Sequence, residues 1–453
     1  MAEVASALRR ASLLSLALAV PAVALANGVA LPDTINVALR PGHPVEVGLE
    51  ANFGWLSAED GESFTWVCHE VVLDPTSSLT PFFFPGENVT LASVRSLGVS
   101  IDPNYSLFRS PDGCSWDAPA DLIDVNVREV AFDPGTPDHV LAATFTGSGA
   151  KNGIWESDDA GATWHKTTLD LDARFFRSVE FSAADPLRVY ASASWFQPAP
   201  SAYVYVSDDG GDVWNEIPWT FSVPSGGTLQ SNVDVIATSP SDANIAYART
   251  NGGTDYLLRT SDGGISWHTV FSVADDIRGV VFEPGTGAVW AATAFQGTYR
   301  ASDGRTFTAI AGAPKTRGLG ANERGVFVAA NNYEDGFALG VSSDGGASYL
   351  GLMQFVELEG TRPCPAGSDV ATICEPLWPA LAQLLGITSP TPTPTTNPGD
   401  DDDDGGPACS CSLASGDAAM APVGLAMMLL AIAAVRRRRG EPVRPKRRGE
   451  AAA

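Results

Sequence analysis

The chain has 453 residues, of which 53 are acidic and 28 basic, for a formal net charge of −25. Such a surface repels nucleic acid and anionic membranes, so no nucleic-acid partner is expected. With 45 glycines and six cysteines, the chain is rich in turns and its core does not need a disulfide framework. In chain order, Arg9-Arg10, the apolar run 11–20 and Ala24-Leu25-Ala26 read as a secretory signal peptide over residues 1–26. The segment between it and the basic tail from Arg436 carries 50 acidic and 18 basic residues. An acidity of this kind serves solubility and attracts cations. Weak Ca²⁺ binding is the most it implies, and no cofactor or metal is expected.

Residues 27–355 hold a repeat. Ser157-Asp158-Asp159-Ala160-Gly161-Ala162-Thr163-Trp164 is its clearest copy, with the pattern Ser/Thr-x-Asp-x-Gly-x-Ser/Thr-aromatic. It returns from Ser207 to Trp214, Thr260 to Trp267 and Ser342 to Tyr349. Two copies, Ser110 to Trp116 and Ala301 to Phe307, are one residue short. An earlier copy, Ser57 to Phe64, places Glu59 at the acidic position. The seven acidic residues are thus Glu59, Asp112, Asp159, Asp209, Asp262, Asp303 and Asp344, spaced by 53, 47, 50, 53, 41 and 41 residues. Each copy lies between strand-like runs. Its glycines supply the positive φ a tight hairpin needs, and its carboxylate accepts backbone N–H groups. A second echo upstream, such as Phe132-Asp133-Pro134 followed by Val140-Leu141-Ala142, adds two more strands per unit. Four strands in each of seven units predict an all-β, seven-bladed β-propeller.

The motif resembles the Asp-box, or bacterial neuraminidase repeat, of sialidases, sortilin-like receptors, xyloglucanases and photosystem assembly factors, over roughly residues 34 to 355. The resemblance implies that the boxes are hairpin staples on the face opposite the ligand site. Sialidases grip a carboxylate with three arginines, the first in an Arg-Ile-Pro motif. This chain has no Arg-Ile-Pro, and before the first box its mature part offers only Arg40. Of the histidines at 43, 69, 139, 165 and 268, none forms His-x-x-x-His, and Gly-x-Ser-x-Gly and phosphate-cradling loops are also missing. His165 and His268 follow box tryptophans and read as structural. A binding module is therefore expected ahead of an enzyme. Two alternatives stay open: an extracellular glycoside hydrolase of sialidase-like fold, and a non-catalytic assembly or scaffold factor.

Propeller topology puts the loops between second and third strands on the face away from the boxes. These loops carry Trp195, Phe196 and Gln197, then Phe295 and Gln296, then Asn332 and Tyr333. An aromatic paired with an amide suits a sugar ring, so these seven residues are the candidate site for a carbohydrate or cell-surface protein ligand.

After the repeats, residues 356–386 form an extension in which Cys364 and Cys374 frame a short loop and are expected to bond. A Cys68–Cys114 bridge is expected between the first two blades, and a short helix over Trp378 to Leu385, plugging or bracing the propeller's base. A Pro/Thr/Asp-rich linker follows at 387–408. Cys409 and Cys411, the apolar run Ala418 to Val435 and Arg436 to Arg439 make up 409–439, and 440–453 is a basic tail. The apolar run would be roughly 27 Å long as a helix, near the minimum for a membrane span. This tripartite tail resembles the MYXO-CTERM sorting signal of myxobacteria. The resemblance implies a processing role for Cys409 and Cys411, a sorting protease as partner, and attachment of the body to the outer cell surface; the body itself is expected to be a monomer.

Overall fold

Each repeat folds as an antiparallel meander, and the meanders stand as blades around a central axis. The computed structural model describes residues 31–73, 79–95, 106–146, 151–195, 201–218 and 232–387. The segments expected to be a signal peptide (1–26) and a sorting signal (409–439, with Cys409 and Cys411), and the expected linker from 388 on, lie outside the described residues. No described helix is long and apolar enough to cross a membrane. Blades one to seven span 34–67, 80–110, 126–166, 175–217, 233–273, 277–309 and 318–353. Six are four-stranded. Among the described residues blade two has three strands, and Asp117 bridges Arg109 where a fourth would run.

The second strand of a blade is flanked by neighbouring blades, and several second strands are buried along their whole length. Val47–Ala51, Val289–Thr293 and Gly325–Ala329 are buried throughout. The ring closes without exchange of strands. The innermost strand of blade seven, Gly318–Asn322, lies against that of blade one, Thr34–Leu39. The Thr34 hydroxyl donates to the Ala330 carbonyl across this seam.

The acidic turns fall between third and fourth strands, on what we term the lower face. Asp159 accepts the Thr163 amide at 2.8 Å and the Thr163 hydroxyl at 2.7 Å. Ser157 donates to Asp159 at 2.8 Å and accepts the Gly161 amide at 2.8 Å. Asp209, Asp262 and Asp344 accept in the same pattern, four residues ahead. The shortened turns accept two and three residues ahead, at Asp112 and Asp303. The first turn is of this short kind, which corrects its expected acid. Asp60, not Glu59, accepts the Glu62 and Ser63 amides, at 2.9 and 2.7 Å. Glu59 points away and pairs with Arg362.

Both expected disulfides are also corrected. Cys68 bonds Cys374 and Cys114 bonds Cys364. The chain beyond blade seven returns across blades one and two, where Thr361 bridges in parallel with Trp66. That register delivers Cys364 to blade two and Cys374 to blade one, so residues ten apart in sequence take different partners. The helix Trp378–Leu385 forms where expected, with Leu381, Ala382 and Leu385 buried. Its Trp378 ring sits 6.0 Å from Trp66, so it braces blade one.

Candidate functional site

The innermost strands share one irregularity, and it builds a site. Their pairing slips by one residue at Ile35, Arg128, Arg177, Ile236 and Arg278. Such a β-bulge frees one residue from the ladder and re-aims its side chain. All five residues line a cavity of about 420 Å³ at the upper end of the axis. Arg249 and Arg317 join from blades five and seven, so five guanidinium groups line the cavity with Asp234, Glu129 and Asn251. In a chain of net charge −25, this is a local reversal of sign.

Asp234 organises the floor. It accepts Arg177 Nε at 2.7 Å, Arg177 Nη2 at 3.3 Å, Arg249 Nε at 3.4 Å and Asn251 Nδ2 at 3.1 Å. Burial opposes ionisation of Asp234, but Arg177 and Arg249 outweigh it and hold the carboxyl at about 2. Arg249 also donates to the Ile277 carbonyl of the next blade. Burial, with the charge of Arg177, lowers the pKa of Arg128. Toward the rim, Arg278 is 48% exposed and meets Asp276 at 3.1 Å. Arg317 meets Asp33 at 3.2 Å, donates to the Ala294 carbonyl at 3.0 Å and lies 5.9 Å from the Phe295 ring. Glu129 and Glu180 sit on the innermost strands of blades three and four. Burial and the charge of Glu129 push Glu180 well above the usual carboxylate range.

The structure places the sequence-selected residues unequally around this funnel. Phe295 is 79% exposed and Tyr333 57% exposed, on adjoining blades of the upper face. Gln296 is exposed beside Phe295, with its amide side chain donating to the Ala274 carbonyl at 3.1 Å. Asn332 is spent on structure: its side-chain oxygen accepts the Phe355 amide at 3.0 Å. Trp195 stacks on Phe175 at 6.0 Å, which meets Phe145 edge-on at 5.3 Å. Phe196 and Gln197 lie outside the described residues. Sequence reasoning missed the arginines. Their signal was Arg at matching positions ahead of Val in Arg128-Glu129-Val130, Arg177-Ser178-Val179 and Arg278-Gly279-Val280.

No family model matches the chain. A curated protein, the Photosystem II assembly lipoprotein Ycf48 of Synechococcus sp. (strain CC9902), is 31% identical over 192 residues. That match covers 41% of this chain and 49% of the relative, so it spans about half the relative's length. Among solved structures, the GH74 xyloglucanase from Xanthomonas campestris aligns over 68% of this chain and 53% of its own, at 15% identity and a TM-score of 0.47. An ancestral GH74 enzyme aligns over 71% and 46%, at 17% identity and 0.49. YCF48 bound to D1 peptide aligns over 50% and 68%, at 17% identity and 0.33.

Proposed function

We propose that this chain is an exported, surface-anchored propeller that binds a carbohydrate or protein ligand through its upper funnel. The ligand presents a carboxylate or similar anion. The observation that carries the reading is the convergence of Arg128, Arg177, Arg249, Arg278 and Arg317 on one cavity of an acidic protein. Guanidinium groups match carboxylates in a planar fork, and fixed positions lower the ordering cost of binding. Phe295 and Tyr333 offer apolar surface to the ligand's body. The two disulfides, which join residues 306 and 250 apart, support export, because such bonds persist in oxidising compartments. Anchoring rests on the tail, with processing at Cys409 and Cys411, a sorting protease as partner, and a membrane helix at 418–435.

A second reading, a glycoside hydrolase, draws on Glu180 and Glu129. A carboxylic acid kept protonated near a second carboxylate is the pairing such chemistry uses. One experiment separates the two. The full chain is screened against acidic and neutral glycans and acidic peptides, with release of reducing ends measured in the same wells. We expect capture of anionic ligands without release. Arg278→Ala and Phe295→Ala, both rim changes, should weaken capture at least tenfold while the melting temperature holds. Release that disappears in Glu180→Gln would instead establish the hydrolase. Capture indifferent to both rim variants would remove the funnel from consideration.

A further inference from the structure

On the lower face, blade three departs from its repeat. His139 ends the loop between the first two strands, Glu156 lies on the third strand, and His165 faces Glu156 from the fourth. His139 Nε2 is 2.9 Å from Glu156 Oε1, and His165 Nε2 is 3.4 Å from Glu156 Oε2. Asp158 completes the group: donor atoms of His139, Glu156 and Asp158 all lie within 4.8 Å of one another. Behind them, Asp133 Oδ2 holds His139 Nδ1 at 3.0 Å, while its Oδ1 accepts the Gly135 and Thr136 amides at 2.7 and 3.2 Å.

We propose that His139, Glu156 and His165, with Asp158 beside them, form a binding site for a zinc-class divalent metal. Three observations support this. Donors around a tetrahedral zinc stand about 3.3 Å apart, given bonds of roughly 2.0–2.1 Å, and the His139–Glu156 and His165–Glu156 contacts, at 2.9 and 3.4 Å, lie on either side of that separation. A carboxylate that holds the far nitrogen of a histidine is the support metal-bound imidazoles use. The cluster is also not required by the fold, since the positions of His139 and Glu156 become Arg188 and Val206 in blade four, and Ile245 and Arg259 in blade five. Two imidazole nitrogens favour zinc, copper or nickel over calcium and magnesium, which prefer all-oxygen sites. His139 and Glu156 are largely buried while His165 is 61% exposed, which leaves the outer side open to solvent.

The test is calorimetric titration of the full, chelator-stripped chain with zinc chloride, and with calcium chloride alongside. One zinc per chain is expected, with calcium at least tenfold weaker. His165→Ala, at an exposed position, should fold normally and lose at least tenfold in zinc affinity. Asp133→Asn should lose about 10–100-fold through misorientation of His139. Cobalt substituted for zinc should give visible bands that His165→Ala alters. No zinc uptake, or uptake unchanged in both variants, would mean that the cluster is an ion pair alone and overturn the proposal.

Discussion

At the scale of single residues, the acidic turns show how a hydroxyl and a carboxylate divide the work. The Ser157 side chain is fully buried, and it both orients Asp159 and accepts the Gly161 amide. Its removal leaves a buried N–H without an acceptor, which costs about 1–3 kcal/mol. Ser157→Ala should therefore lower unfolding stability by that amount in a urea titration, and an unchanged midpoint would contradict this role. The residue scale also explains the error at Glu59. The long form of the motif aligns Glu59 with Asp159, but the first turn is the short form. Only Asp60 stands two and three residues before the amides it accepts. Turn length is set by how the flanking strands pair, which adjacent acidic residues do not reveal.

At the scale of elements, the extension after blade seven locks the outer edges of blades one and two. Cys68 and Cys374 are fully buried among Trp66, Val67 and Leu385. Loss of one such cross-link typically costs about 2–5 kcal/mol. The double variant Cys68→Ser, Cys374→Ser should lose stability in that range by chemical denaturation. Non-reduced peptide mapping checks the connectivity directly, and a peptide linking Cys364 to Cys374 would refute it. The bulges belong to this scale as well. A one-residue slip in five of the innermost strands leaves their hairpins intact, and in three of them it turns an arginine into the funnel.

At the scale of the whole molecule, closure of the ring depends on small residues where blades seven and one meet. A Cβ on Gly318 would stand 2.4 Å from Asn36 Oδ1 and 2.6 Å from Asn36 Cα. The backbone of blade one cannot yield locally, so overpacking of this kind costs about 1–3 kcal/mol. Gly318→Ala should lower the melting temperature, whereas Gly253→Ala, with no atom within 4 Å, should not. Equal behaviour of the two variants would show that the seam is not held by close backbone approach.

The seven blades were legible because each unit carries its own turn chemistry and its own apolar strands, and both are local properties of about 40–50 residues. The short helix at Trp378–Leu385 was legible for the same reason. The aromatic loops could be assigned to the upper face because strand direction alternates, but not their environment: Asn332 is tied to Phe355 and Trp195 to Phe175. The funnel arginines, the partners of the four described cysteines and the His139–Glu156–His165 cluster are different in kind. Each joins residues from separate blades or strands whose distances in sequence say nothing of their distances in space. By itself the sequence determined the repeat, the number of blades and the face each loop occupies. Only ring closure, the bulges and the return of the C-terminal extension decided which charges and sulfurs meet.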